Sequence, residues 1–294
     1  MMLVEPVELV APAELGGVHF IAIGGAGMSG IARLMCDLGL PVSGSDQHDS
    51  PVLTELRDRG ARVWVGHHAD QVGPEVGTVV ISSAIRDTNP ELAEARRRGL
   101  RVWHRSAALA ALMLGKQGVA VAGTHGKTTT SAMTAVALLG AGQQPSYVVG
   151  AALANTGVSA ALGAGPAFVV EADESDGSFL QYPATHGAIT NIEADHLDNW
   201  LTPQAYAAGY RRFAAGVGTV VINTDDPGAR HLADELRAAG TGPRVLTCGS
   251  DPAADVRLST IRHNPARTDG WLIAGTITHG DTETNLRLRV PGVF

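Results

Sequence analysis

The chain has 294 residues, a formal net charge of −7 and 45% hydrophobic residues, enough for two domains of roughly 100–200 residues each. The acidic balance and 4% aromatic content disfavour a nucleic-acid binder, which needs a basic patch and stacking platforms. No run approaches the roughly 18–20 apolar residues of a membrane span, Glu5 and Glu8 precede any basic residue, and Cys36 and Cys248 are the only cysteines. A cytoplasmic protein with no membrane partner and no disulfide scaffold is expected.

In chain order, VHFIAIGG (18–25) predicts a strand, Met28 to Leu38 a helix, PVSGSD (41–46) a strand, Pro51 to Arg59 a helix and Ala61 to Val65 a strand. TVVISSAI (78–85), a helix from Pro90 to Arg98, LRVWH (100–104) and a helix from Ala107 to Lys116 follow. This alternation is the pattern of a parallel α/β sheet. A second series starts with the strand GVAVAG (118–123), then THGKTTT and a long Ala-rich helix, so a boundary is expected near 110–117. Strands at 146–151, 166–173, 186–192 and 218–226 continue it, with a helix from Thr202 to Ala215. After Ala238, RVLTCG, DVRLSTIR, GWLIAGTIT and TNLRLRV read as strands without helices between them.

Two glycine-rich turns carry chemistry. Gly25-Ala26-Gly27-Met28-Ser29-Gly30 is a G-x-G-x-x-G directly after a strand, and Asp46 ends the next strand. Such glycines permit a tight turn and close approach of a diphosphate to a helix N-terminus, and the acid suits a ribose. Gly123-Thr124-His125-Gly126-Lys127-Thr128-Thr129 resembles a P-loop, although Val121 and Ala122 stand where its first glycine is sought. Lys116 and Lys127 are the only lysines, so a lysine kept inside this turn is a candidate for phosphate chemistry. Glu171, Asp173, Glu174 and Asp176 follow the next strand and would repel one another unless a cation or water screens them. His196 stands between Asp195 and Asp198, a setting for a metal or a phosphate as well as for a surface histidine. The Arg96-Arg97-Arg98 run with Arg101 reads as a solvated helix end.

Taken together and in order, IGGAGMSGIA (23–32), ISSAI (81–85), NPE (89–91), GTHGKTTT (123–130), EADESD (171–176), TNIEADHLD (190–198) and TDDP (224–227) resemble the Mur ligase family over essentially the whole chain. The resemblance implies an α/β protein: a Rossmann-like UDP-sugar-binding domain over 1–112 and a P-loop-type ATPase domain over 113–294. It implies ATP-dependent amide ligation through an acyl-phosphate, with Mg²⁺, in peptidoglycan precursor synthesis. Within the family the motifs run closest to members that join L-alanine to UDP-N-acetylmuramate. By this resemblance Gly25, Gly27 and Gly30 receive the UDP diphosphate, with Asp46 and His67 on the nucleoside side. Gly123, Thr124, His125, Gly126, Lys127, Thr128 and Thr129 bind ATP, and Lys127 neutralises the β/γ-phosphates and the acyl-phosphate transition state. Thr128 and Glu171 ligate the metal at the γ-phosphate, and His196 holds a second metal. Asn155 and Ser175 match positions in contact with substrate or metal.

Two departures stand out. Several relatives use a carbamylated lysine in the central domain, whereas Arg211 and Arg212 occupy that region here and no lysine follows Lys127. The family's H-N-x-x-N-A helix and third domain do not follow Pro291-Gly292, so the sequence resembles about three-fifths of a ligase, expected to be an inactive fragment. The readings in competition are a murein tripeptide-recycling ligase, a non-catalytic UDP-sugar-binding remnant and, from the first turn alone, an NAD-dependent oxidoreductase.

Overall fold

A computed structural model describes residues 3–264 and 273–288. Strands β1 (Gly17–Ile21), β2 (Val42–Asp46), β3 (Arg62–Val65), β4 (Val76–Ile81) and β5 (Arg101–His104) form one sheet in the order β3-β2-β1-β4-β5. All its neighbours are parallel. β1 is buried along its length because helices cover both faces, which is why it reads as an apolar run and not an alternation. The helices are α1 (Ala26–Asp37), α2 (Pro51–Asp58), α3 (Pro90–Arg97) and α4 (Arg105–Leu112). α2 and α3 start alike: a capping side chain, Ser50 or Asn89, accepts from the first turn and proline takes the first helical position. Strand order runs outward in both directions from β1, so the turns leaving β1 and β4 open a crevice at their carboxyl ends, where such folds bind ligands.

The second sheet begins at β6 (Gln117–Ala122) and continues through β7 (Ser146–Val148), β8 (Ala160–Ala161), β9 (Ala167–Glu171), β10 (Ala184–Ile189), β11 (Thr219–Asn223) and β12 (Arg244–Gly249). It ends in β13 (Val256–His263), β14 (Ile273–His279) and β15 (Thr282–Leu288). The order is β15-β14-β13-β12-β11-β10-β6-β9-β7-β8, with β13, β14 and β15 antiparallel and β8 antiparallel to β7. β6 therefore lies between β10 and β9, and the three polar strand ends noted in the sequence sit side by side. The helices of this part are α5 (Lys127–Gly140), α6 (Leu197–Trp200), α7 (Pro203–Ala215) and α8 (Pro227–Ala239).

Beneath the strand ends the scarce aromatics are concentrated. Phe179 stacks on Phe213 at 5.3 Å between ring centroids and meets Tyr210 edge-on at 5.5 Å. Trp200 and Tyr206 close the cluster at 5.8 Å. The two sheets also touch. Ser83, after β4, donates to Asp176 at 2.8 Å, and Arg105 donates to Asp173 at 3.3 Å. The segment ahead of β1 crosses to the second sheet, where Val4 N–H donates to Asp176 O and Val7 N–H to the Gln181 side chain, each at 2.7 Å.

The structure departs from the sequence reading in several places. β1 ends at Ile21, four residues earlier than expected, because Ala22 turns the chain with φ +63°. α8 was not expected; Asp226 caps it by accepting from Ala229 N–H, and Gly240 closes it in the left-handed region. The last two expected strands become β14 and β15 within the described residues, while 270–272 and 289–290 lie outside them. No helix among the described residues is long and apolar enough to cross a membrane.

Candidate functional site

The second turn is held by its own glycines and by the loop after β10. Gly126 adopts φ +79° at the N-cap of α5, and Gly123 at φ +144° lets Thr190 pass so closely that any Cβ there would strike its hydroxyl. Thr190 Oγ donates to His125 O at 2.6 Å, and Asn191 clasps the same residue, accepting from His125 N–H at 2.7 Å and donating to its carbonyl at 2.9 Å. Thr124 Oγ donates to Glu193 O at 3.0 Å and meets the Tyr206 hydroxyl at 2.9 Å. The loop after β10 thus braces the loop after β6, backbone to side chain. The His125 side chain itself is exposed, so its part in the turn is played by the backbone.

Lys127 folds back over this turn. Its Nζ donates to Gly123 O at 2.7 Å and Thr124 O at 3.2 Å, and it lies 2.8 Å from Glu174 Oε2. The contact with Glu174 is an ion pair without hydrogen-bond alignment. Glu174 is fully buried, and burial pushes its carboxyl above the usual range even though Lys127 pulls it down. Its backbone carbonyl accepts from Trp200 Nε1 at 2.8 Å, so the aromatic cluster fixes the carboxylate under the turn. The Tyr206 hydroxyl, 3.4 Å from Glu174 Oε1, is pushed up to about 12 by burial, against the bonds to Thr124 and Tyr210.

Thr128 and Glu171 meet at the head of α5. Thr128 Oγ donates to Glu171 Oε1 at 2.9 Å, and Gly150 N–H donates to Oε2 at 2.7 Å. A Cβ on Gly150 would collide with Glu171 and come within 2.9 Å of Thr128 Oγ, so the space beside both oxygens depends on that glycine. Two hard oxygen donors with room beside them suit Mg²⁺, which completes its shell with phosphate and water. No group of three or more His, Cys, Asp or Glu among the described residues forms a protein-only metal cage. His196 stands apart from this pair: its Nε2 faces Glu174 at 3.9 Å and Asp195 at 3.8 Å, with its backbone left-handed at φ +51°. Thr129 continues α5. Ser175 takes part through its backbone, donating to Asp173 and accepting from Asn199, and Asn155 is exposed between β7 and β8.

The first turn is built differently. Gly25 is the N-cap of α1, and Asp46 accepts from Gly24 N–H at 2.9 Å, tying the end of β2 to the turn. At Gly27 a Cβ would lie 3.2 Å from the Arg105 guanidinium, so this glycine makes room for a cation beside the turn. Gly30, the third glycine of the expected diphosphate turn, also packs between the sheets. It is buried one turn into α1, where a Cβ would come within 3.3 Å of Ala160 Cβ in β8. Its absent side chain serves the approach of the two sheets. His67, past the end of β3, turns Nδ1 inward to Ser45 at 2.8 Å and Glu91 at 2.9 Å.

Glu174, Tyr206, Asn191 and Arg105 were not singled out from sequence. Four carboxylates in EADESD look alike in one dimension; the fold buries Glu174 and Asp176, and of the two only Glu174 lies against Lys127. TNIEADHLD does contain Asn191, but nothing in it signals that the amide grips the neighbouring turn.

The fold and this centre define a class: a parallel α/β sheet followed by a mixed one that carries a P-loop-type turn flanked by carboxylates. Residues 17–117 match the Mur ligase family catalytic domain and 121–294 the Mur ligase middle domain. The chain belongs to the Mur ligase family. It is 56% identical, over its whole length and 61% of the relative, to UDP-N-acetylmuramate–L-alanine ligase of Cutibacterium acnes. Among solved structures it resembles UDP-N-acetylmuramate–alanine ligase from Thermotoga maritima, with TM-score 0.78 and 28% identity over 94% of this chain and 61% of that one. It also resembles the UDP-N-acetylmuramate:L-alanyl-γ-D-glutamyl-meso-diaminopimelate ligase from Neisseria meningitides, with TM-score 0.81 and 25% identity over 95% and 89% of the two chains. The chain spans about three-fifths of the length of the curated relatives it matches.

Proposed function

We propose that the chain provides the UDP-sugar-binding and ATP-binding domains of a ligase that joins L-alanine to the lactyl carboxylate of UDP-N-acetylmuramate with hydrolysis of ATP, through an acyl-phosphate, in peptidoglycan precursor synthesis in the cytoplasm. Residues 1–112 serve as the UDP-sugar-binding domain and 113–294 as the ATP-binding domain. The observation that carries this reading is the meeting of Lys127, Thr128, Glu171 and Glu174 at the end of β6, with the N-terminus of α5 behind them.

Two anions, a carboxylate and a γ-phosphate, must approach each other, and preorganised positive groups are what stabilise that approach. Lys127 supplies a point charge and the first N–H groups of α5 supply the helix dipole. Glu174 holds the ammonium in place until phosphate competes for it. Thr128 and Glu171 would hold Mg²⁺, which when bound supplies Lewis-acid charge to the phosphate oxygens. The carboxylate oxygen attacks the γ-phosphorus and ADP departs. The alanine nitrogen then attacks the acyl carbon, phosphate departs and the nitrogen gives its proton to solvent. His196, beside Glu174 and Asp195, stands at the edge where the substrate carboxylate would arrive; a second metal there remains part of this proposal. Gly25, Gly27 and Asp46 receive the diphosphate and ribose of the UDP-sugar, with His67 beyond them.

A second reading, addition of a tripeptide to the same muramyl acceptor, is favoured by the likeness to the Neisseria ligase. The test is ADP release and amide formation with UDP-N-acetylmuramate, ATP and Mg²⁺, offered L-alanine or the tripeptide in competition. Preferential use of L-alanine supports the reading, preferential use of the tripeptide replaces it with the second, and ADP release independent of the UDP-sugar overturns both.

A further inference from the structure

The Asn89-Pro90-Glu91 motif plays no part in the chemistry described so far, yet Glu91 is the most enclosed carboxylate of the first sheet. It sits at the second position of α3, fully buried, and both its oxygens are occupied. Oε1 faces His19 Nε2 at 3.2 Å and, with the Gln71 amide nitrogen turned toward it, Gln71 at 2.8 Å. Oε2 accepts from Ser45 Oγ at 2.6 Å and faces His67 Nδ1 at 2.9 Å. His19, also fully buried, turns its other nitrogen to Ser43 Oγ at 2.9 Å. The network ties β1, β2 and α3 together and has a single outlet, the half-buried ring of His67.

A carboxylate only accepts, so the nitrogen facing it must carry the proton. In a neutral imidazole this leaves the other nitrogen, Nε2, as an acceptor. His67 follows β3, one strand beyond Asp46 at the end of β2, and Gly66 N–H donates to Asp46 O at 2.8 Å. In a sheet of this order the acid ending the second strand takes the ribose. On the UDP-sugar reading, a group one strand further out lies on the side of the base. Uracil offers an N3–H donor, whereas cytosine offers an acceptor at the same atom.

We propose that Glu91 is a positioning residue that locks His67 in the Nδ1–H tautomer, so that Nε2 accepts from uracil N3–H and selects uridine over cytidine nucleotides. The inference rests on the UDP-sugar reading of the first domain. Its energetic logic is that a site built to accept one hydrogen bond penalises a ligand presenting a second acceptor, because both lone pairs are then left unpaired.

Two measurements test it, with UDP and CDP as the probes. The first is the ¹⁵N spectrum of the His67 imidazole in the unliganded protein. A protonated Nδ1 with an unprotonated Nε2 is expected, and the opposite tautomer overturns the proposal whether or not any nucleotide binds. The second is calorimetric titration of wild type and Glu91→Gln, with thermal melts confirming that the variant folds. Wild type should prefer UDP over CDP by at least tenfold. Glu91→Gln should lose about tenfold in UDP affinity while CDP affinity holds or rises, because the glutamine amide can donate to Nδ1 and release the tautomer. A merely structural role would weaken both nucleotides alike, which contradicts the proposal. If wild type binds neither nucleotide, the UDP reading fails while the tautomer result stands on its own.

Discussion

The two glycine-rich turns begin alike, each between a strand and a helix, yet they are finished by different means. The turn at 123–130 is gripped by the loop after β10: Thr190 and Asn191 bond the His125 backbone, Thr124 donates in return to Glu193 O, and Lys127 rests on two of the turn's carbonyls and on Glu174. The turn at 23–30 is shaped from outside, by Asp46 on one side, Arg105 on another and β8 of the second sheet behind α1. The lesson is that glycine spacing announces a turn but not what surrounds it. In one case charged side chains gather on the turn itself. In the other, one of the three glycines also packs against β8.

Substitutions should separate the two turns. The largest effect is expected at Lys127. Lys127→Ala should lower kcat by about 10²–10³, the scale of removing one preorganised charge from a transition state, with UDP affinity unchanged in titration. Near-normal turnover would remove the second turn from the chemistry. Next comes Gly150→Ala, whose methyl must displace Glu171 or Thr128; Mg·ATP affinity should fall about 10–100-fold, the range for disturbing groups around a metal, again without change in UDP binding.

A smaller effect sharpens the contrast at the first turn. Gly30→Val should destabilise by about 1–3 kcal/mol through overpacking against β8, read as a lower midpoint in thermal or urea unfolding. Loss of UDP affinity at unaltered stability would instead give Gly30 its role at the diphosphate.

The smallest effect concerns the join between the sheets. Burial pushes the Asp176 carboxyl up, but hydrogen bonds from Ser178 and Ser83 and the facing His104 outweigh it and hold it below 3.8. Burial likewise holds His104 below 6.5, against the pull of Asp176. Both groups therefore bind protons less readily folded than unfolded, so their contribution is whole above pH 6.5 and is lost as pH falls through their depressed values. Unfolding midpoints should drop from pH 6.5 downward, and Ser83→Ala, which takes one hydrogen bond from Asp176, should cost about 1 kcal/mol and shallow that drop. An unchanged pH profile in Ser83→Ala would show that the contact does not couple to acid stability.

Much of this was legible in the chain. Apolar runs closed by capping residues and proline located the strands and helices of the first sheet within a few residues, and the strand–turn–helix at 118–140 was legible as such. Three features stayed hidden because they depend on contacts between distant residues. Glu174 is set apart from its three acidic neighbours by the aromatic cover of Trp200 and Tyr206 and by the Lys127 ammonium beside it. Gly30 packs against Ala160, which lies far along the chain. The segment ahead of β1 gives no sequence sign that it crosses to Asp176 and Gln181. α8 is hidden for a different reason: its Asp226 cap lies inside TDDP, which reads as a polar loop, and only the fold pairs that cap with the Gly240 stop.

The central claim is that the muramyl carboxylate is phosphorylated before the amide forms, and isotope transfer tests it most directly. UDP-N-acetylmuramate carrying ¹⁸O in its lactyl carboxylate is turned over with ATP, Mg²⁺ and L-alanine, and the released phosphate is analysed by mass spectrometry. An oxygen from the carboxylate should leave with each phosphate, since that oxygen is the one that attacked phosphorus. Amide product accompanied by phosphate without the label would contradict the account.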